Sequence, residues 1–224
     1  MACAVSHTQL IDTALLLCGY RRTGKDTVCN RIQDGTFNSL GYAVFRDPTT
    51  PKWNPIKESI RIAFADILKN EVCGLLNVTT SQIEPYKDVP LKKASSEIKD
   101  LKVLPGIDMN QSYRDLLIEY AMIKRKHDPD YWCKAATNSL TGKCNIIITD
   151  FRFPNEAKFM TSQARQVFTA RIFRSEVPIP IEPMEHMLDG EAGRTDYLIC
   201  RPSDFEVAKR NPAMQWCKDF VLDT

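Results

Sequence analysis

No two cysteines of this 224-residue chain stand in C-x-x-C spacing, and His7, His127 and His186 lie far apart. That excludes a zinc cluster built on the usual ligand intervals. Long apolar runs are also missing. The longest, Ala14 to Cys18, falls far short of the ~20 residues a membrane helix needs. The first ten residues are polar, without the apolar stretch of a signal peptide. An excess of one charge sign is lacking too: 30 Lys+Arg oppose 28 Asp+Glu, for a formal charge of +2. Such a balance speaks against a nucleic-acid polymer or an anionic membrane as partner, since both are held by massed cations. Affinity for phosphate must therefore be local. The eight cysteines then read as free thiols of a reduced, cytoplasmic protein.

What is present is an ordinary globular composition, 43% hydrophobic and 26% charged, without repeat or low-complexity tract. Thr13 to Cys18 and Asn145 to Thr149 read as strands buried on both faces of a parallel sheet. Val167 to Phe173, Tyr197 to Cys200 and the short Ala43 to Phe45 add further strands. Lys25 to about Ile32 and Tyr113 to Lys126 read as helices. Ile56, Ile60, Ala63, Phe64, Ile67 and Leu68 fit one helical face behind Pro55. Asp128-Pro129 and Phe153-Pro154 each start a helix by the proline rule, and Ser203 to Glu206 matches a capping box. Residues 86 to 102 are Lys-rich and read as an exposed loop; residues 74 to 111 show no clean period. The pattern predicts an α/β three-layer sandwich with a mostly parallel sheet. It is taken as a single domain, 1–224, with a helical acceptor-binding or cap region at about 51–132.

Two constellations carry chemistry. Gly19-Tyr20-Arg21-Arg22-Thr23-Gly24-Lys25-Asp26-Thr27 fits G-x-x-x-x-G-K-[ST] except that Asp26 precedes the hydroxyl residue. Glycines let backbone N–H groups wrap phosphate oxygens, the next helix points its positive end at them, and Lys25 adds a point charge. Gly19, Arg22, Thr23, Gly24, Lys25, Asp26 and Thr27 are thus candidate nucleotide-binding residues. A hydroxyl usually ligates Mg²⁺ at the eighth position. Asp26 could hold the ion, Thr27 could take it over by a small shift, or Asp26 simply complements the helix dipole.

The second constellation is Asp150-Phe151-Arg152-Phe153-Pro154-Asn155-Glu156, directly after a predicted buried strand, where α/β sheets bind ligands. Asp150 suits a metal ion or a sugar hydroxyl, and Arg152 can clamp phosphate bidentately. Alternatively Asp150 caps a helix while Arg152 pairs with Glu156. Lys57 and Arg114, cations in the first turns of predicted helices, suit an acceptor phosphate. Trp132 either stacks on a base or fills the core, and His186 reads as a surface-loop residue.

These residues together resemble the deoxynucleoside monophosphate kinases of the bacteriophage and large-virus type. The resembling segments are Leu17 to Thr27, Pro55 to Glu58, Tyr113 to Leu117, Asp128 to Trp132 and Ile148 to Glu156, in the family's order. The Gly-Lys-Asp form of the loop is itself typical of that family. The resemblance implies ATP as donor, Mg²⁺, a deoxynucleoside monophosphate as acceptor, a homodimer, and the host cytoplasm if the source is viral. It places Lys57, Arg114 and Arg152 on phosphates, with Trp132 and Asp150 lining the acceptor site; Glu156, from the motif itself, is a further candidate substrate residue. Lys25, Arg152 and Asp150 become the catalytic set. Animal phosphomevalonate kinases resemble the N-terminal segment too, but their acceptor has no base for Trp132 to meet. A GTPase-like switch lacks support because no Asn-Lys-x-Asp motif exists; a non-catalytic nucleotide-binding module is the remaining alternative. The kinase reading requires an open turn after Cys18, with Asp150 and Arg152 facing it.

Overall fold

The computed structural model describes residues 10–54, 56, 58–102 and 105–223. The chain divides into two compact units, Met1–Ile62 with Leu140–Thr224, and Ala63–Ser139.

The first unit is built on β1, Ile11–Cys18, which is apolar on both sides and central in a seven-stranded sheet. Its parallel neighbours are β4, Cys144–Ile148, and β5, Ala164–Ile172. Beyond β4 lies β3, Ser59–Ile62, and beyond β5 lies β6, Tyr197–Cys200, both parallel. The order is completed by β2, Ala43–Arg46, and β7, Val221–Leu222, added antiparallel at the β6 side. The sheet is therefore mostly parallel, as the alternation of strands and helices predicts.

Alternate side chains of the strands face opposite layers. Leu15 and Leu17 of β1 and Ile199 of β6 share a core with Val28, Cys29 and Ile32 of α1, Lys25–Gln33. Leu198 and Cys200 of β6 instead pack with Phe205 and Ala208 of α8, Pro202–Arg210. Helices thus cover both faces. The remaining helix of this unit is α7, Pro154–Gln163, which starts at the proline as expected.

The second unit is helical. It comprises α2 (Phe64–Leu76), α3 (Thr80–Ile83), α4 (Leu91–Glu97), α5 (Tyr113–His127) and α6 (Tyr131–Asn138). Val72, Leu76, Ile83, Leu91, Tyr113 and Leu117 are the centre of its core. The hydroxyls of Tyr120 and Tyr131 both donate to the Glu71 carboxylate and tie three of the helices together.

Four expectations need correction. The apolar face read from Ile56 to Leu68 is not one helix. Ser59–Ile62 is a strand, and α2 begins at Phe64. Ile56 and Ile60, four residues apart, satisfy a period of two as well as a helical one, and Glu58 has a φ of 50°, which a helix cannot contain. The Lys-rich stretch is not all loop, since α4 buries Leu91 and Ala94 while its lysines stay outside. Finally, α8 starts with Pro202 after Arg201, without the expected Ser203 cap, and α6 starts at Tyr131, two residues beyond the expected Pro129, with no side-chain cap from Asp130.

Candidate functional site

The parallel register sets the ends of β1, β4 and β5 side by side, with Leu16 opposite Ile148 and Cys18 opposite Arg171. The chain leaving β1 at Gly19 and the chain leaving β4 at Thr149 are consequently neighbours at the carboxyl edge of the sheet, the edge where ligands bind in open α/β sheets.

Gly19 has a φ of +135°, and a Cβ there would meet the Ile172 carbonyl oxygen at 2.5 Å. No other residue fits. Gly24, with φ +92°, turns the chain into α1. Between them the exposed Arg22 also adopts a left-handed φ, 67°. Thr23 is buried and donates its hydroxyl to the Tyr20 carbonyl at 2.8 Å. The Lys25 Nζ donates to the carbonyls of Gly19 at 2.7 Å and Tyr20 at 3.0 Å, folding the loop around the ammonium. Burial, then the nearby Arg152 cation, lower the Lys25 pKa; Glu185 and Asp150 work the other way.

Asp26 and Thr27 are exposed in the first turn of α1. Asp26 Oδ1 accepts from Arg61 Nη2 at 2.8 Å and Nε at 3.0 Å, linking α1 to β3. Among the described residues no group of three or more His, Cys, Asp or Glu could hold a metal ion by itself.

Asp150 is half-buried at the tip of β4. The Arg152 guanidinium reaches the loop side and donates to Glu185 Oε1 at 2.6 Å. Glu156 is corrected from a substrate residue to a cap. It is fully buried, and its Oε2 accepts from the backbone N–H groups of Arg152 at 2.9 Å and Phe153 at 3.1 Å. Those are orphan donors at the start of α7, so Glu156 fixes Arg152 without reaching a ligand. Trp132 is also corrected. At 2% exposure, packed against Tyr131 and Tyr120, it presents no ring face for a base. Arg114, in the helical unit, forks onto Asp88 at 2.6 and 3.2 Å. Lys57 lies outside the described residues.

The open turn after Cys18 that the kinase reading requires is not found: in this conformation side chains cover it. Residues 182–189, between β5 and β6, lie over it, with 3₁₀ turns at Pro183–His186 and Gly190–Gly193. Glu185 Oε2 accepts the Arg21 backbone N–H at 3.0 Å, and Glu182 pairs with the Arg21 guanidinium at 2.9 Å. Asp189 is the hub beneath. It accepts from the Tyr20 hydroxyl at 2.8 Å and Arg171 Nη2 at 2.7 Å, and bonds His186 Nδ1 at 2.6 Å. Burial pushes the Asp189 carboxyl up, but bonds from His186, Arg171 and Tyr20 outweigh it and hold the pKa below its ordinary value. Burial, reinforced by Asp189, pushes the Tyr20 hydroxyl up to about 12.

Sequence reasoning missed this cover and Arg171 altogether; a carboxylate at every third or fourth position, Glu182, Glu185 and Asp189, is the only local trace. His186 is not a loose loop residue. Its second nitrogen, Nε2, faces the Pro180 carbonyl at 2.6 Å, so both ring nitrogens meet acceptors and the imidazolium suits the site. The Asp189 bond, then the Pro180 carbonyl, raise its pKa above the usual 6.5. A raised folded-state pKa gives stability that is complete below the unfolded value and lost as pH rises through the folded one. The thermal midpoint should therefore fall as pH increases from below 6.5, with a component absent from His186→Gln. Parallel pH profiles for the two proteins would contradict this.

A larger cavity of about 610 Å³ lies at the opposite, amino-terminal half of β1 and β5, beside Thr13, Trp53, Gln166 and Phe168. Among the described residues its one charged lining side chain is Lys52. No helix among the described residues is long and apolar enough to cross a membrane. Comparison of the chain with protein-family models and with curated proteins finds no match.

Proposed function

We propose that this chain is a P-loop kinase that moves the γ-phosphoryl group of ATP to the 5′-phosphate of a deoxynucleoside monophosphate. One observation carries the reading. A Gly19–Lys25 loop sits between a buried strand and a helix, with the Arg152 guanidinium converging on it and Asp150 acting on the Lys25 charge from the next strand. Loop amides, ammonium and guanidinium are the donor set that a phosphate chain requires.

An acceptor phosphate is already nucleophilic, so no general base is needed. Catalysis comes from alignment and from cations that offset charge on the transferring group. Lys25 and the loop amides would hold the β and γ phosphates, and Arg152 would draw the acceptor into line, once residues 182–189 have left the turn after Cys18, where Glu185 now takes the Arg21 N–H and the Arg152 guanidinium. Acceptor roles for Lys57 and Arg114 rest on the family resemblance alone. Mg²⁺ would take most of its ligands from phosphates and water, as it does in kinase sites. Asp26 or Thr27 would supply the protein's share, Asp26 by releasing Arg61. The ion's chemistry there is to neutralise phosphate charge.

The test is a coupled ADP-release assay across the four common deoxynucleoside monophosphates, their ribose counterparts and phosphomevalonate. The last is included because a buried Trp132 no longer argues for a base. Turnover on at least one deoxynucleotide is expected. ADP release no faster than with ATP alone, on every acceptor, would overturn the proposal.

A further inference from the structure

The cover over the loop is not an apolar plug. Its Glu185 side chain, 9% exposed, meets the two kinds of donor that a phosphate would use: a loop amide, Arg21 N–H, and the Arg152 guanidinium. It also raises the pKa of Lys25, against burial and Arg152, as a bound anion would. Gly19, Phe151, Arg152, Arg171, Glu185 and Leu188 leave between them a cavity of only about 10 Å³, scarcely space for one water. A phosphate group therefore cannot join Glu185 at these donors. It must replace it, because two anions in one small cradle repel and each needs the same N–H groups.

We propose that residues 182–189 form a displaceable strap whose Glu185 carboxylate occupies the phosphate seat of the loop until a polyphosphate expels it. This rests on the loop being a phosphate site, and it adds a self-inhibited resting state to that reading. Arg152 has a part in both states. With the strap down its guanidinium is spent on Glu185; with the strap displaced it is released toward the incoming phosphates. The strap is held at two levels, by Glu182 and Glu185 on the loop and by Asp189 below it. Only the upper contacts compete with a ligand. Asp189 can thus remain on Arg171 and Tyr20 as the anchor from which the rest pivots.

The apparent affinity of a ligand falls by the fraction of molecules able to accept it. Glu185→Gln keeps the shape but loses the charge-assisted bonds, which are roughly twice as strong as neutral ones. Calorimetric titration of the full chain with inorganic tripolyphosphate, and separately with ATP, should give binding about 10-fold tighter for Glu185→Gln than for the unaltered protein. Hydrogen exchange on the unaltered protein supplies a second readout that needs no variant. Saturation with tripolyphosphate should increase exchange at residues 182–189 while decreasing it in the 19–25 loop. Equal or weaker binding by Glu185→Gln, or exchange that falls in both segments, would overturn the strap and leave the phosphate loop standing. No binding of either probe by either protein would overturn the loop reading itself and the strap with it.

Discussion

Replacing Lys25 with alanine is expected to lower ATP-dependent turnover by at least about 100-fold, the loss seen when one preorganised charge donor leaves a transition state. The geometry explains why nothing nearby can substitute. The ammonium is enclosed by the loop's own carbonyls, Gly19 O at 2.7 Å and Tyr20 O at 3.0 Å, so its position is set by backbone. Burial and the Arg152 cation both disfavour its charge. An anion arriving at the loop relieves that cost, and it does so most where phosphoryl transfer concentrates negative charge. Lys25→Met, which keeps the methylenes, should be as inactive as Lys25→Ala, and Lys25→Arg should recover little because a planar fork does not fit between two converging carbonyls. Steady-state ADP release checks the series, and thermal melting shows that each variant is folded. Near-normal turnover in a folded Lys25→Ala protein would remove the kinase reading.

The parts of the site that could be read from sequence are those contiguous in it. Gly19, Gly24 and Lys25 are bracketed by β1 and α1, so local pattern alone sets them at a strand tip. Asp150 and Arg152 follow β4 by the same logic. The β1–β4 register that makes the two segments neighbours lies outside any spacing rule. Glu156 reads from sequence as a substrate residue or as the partner of the Arg152 side chain, because a carboxylate early in a helix does not reveal what it accepts from; its two backbone donors make it a cap instead. Asp26 found its partner 35 residues away, on a strand mistaken for helix. Ile56, Ile60 and Phe64 recur every four residues, which is also an even number, so the helical stripe could not exclude a strand. The strap was the least legible. Glu185 and Arg152 are 33 residues apart and Glu185 and Arg21 are 164 apart, contacts that only the sheet order brings about.

Arg171 is where that long-range organisation is most exposed to a single change. It lies on β5 opposite Cys18, 3% exposed, with Nη1 on the Leu188 carbonyl at 2.6 Å and Nη2 on Asp189 at 2.7 Å. Its guanidinium carbon is 5.2 Å from the centre of the Tyr20 ring. One side chain therefore joins the sheet, the Gly19–Lys25 loop and residues 182–189. Arg171→Met would leave the Asp189 carboxylate with Tyr20 and His186 but without its guanidinium, and a buried carbonyl without its donor. Removing one partner of a buried pair typically costs about 3–5 kcal/mol. At about 2–4 °C per kcal/mol for a chain of this size, the melting midpoint should fall by roughly 10 °C. Arg171→Lys should recover only part of the loss, because an ammonium cannot bridge two acceptors in a fixed fork. Adding Asp189→Asn to Arg171→Met should restore some stability by removing the charge left without its guanidinium, and the double-mutant cycle then isolates the pair from the general cost of truncation. Scanning calorimetry of the four proteins decides it. A shift below about 2 °C for Arg171→Met, or strict additivity in the cycle, would show that the strap is anchored elsewhere, by the upper contacts of Glu182 and Glu185.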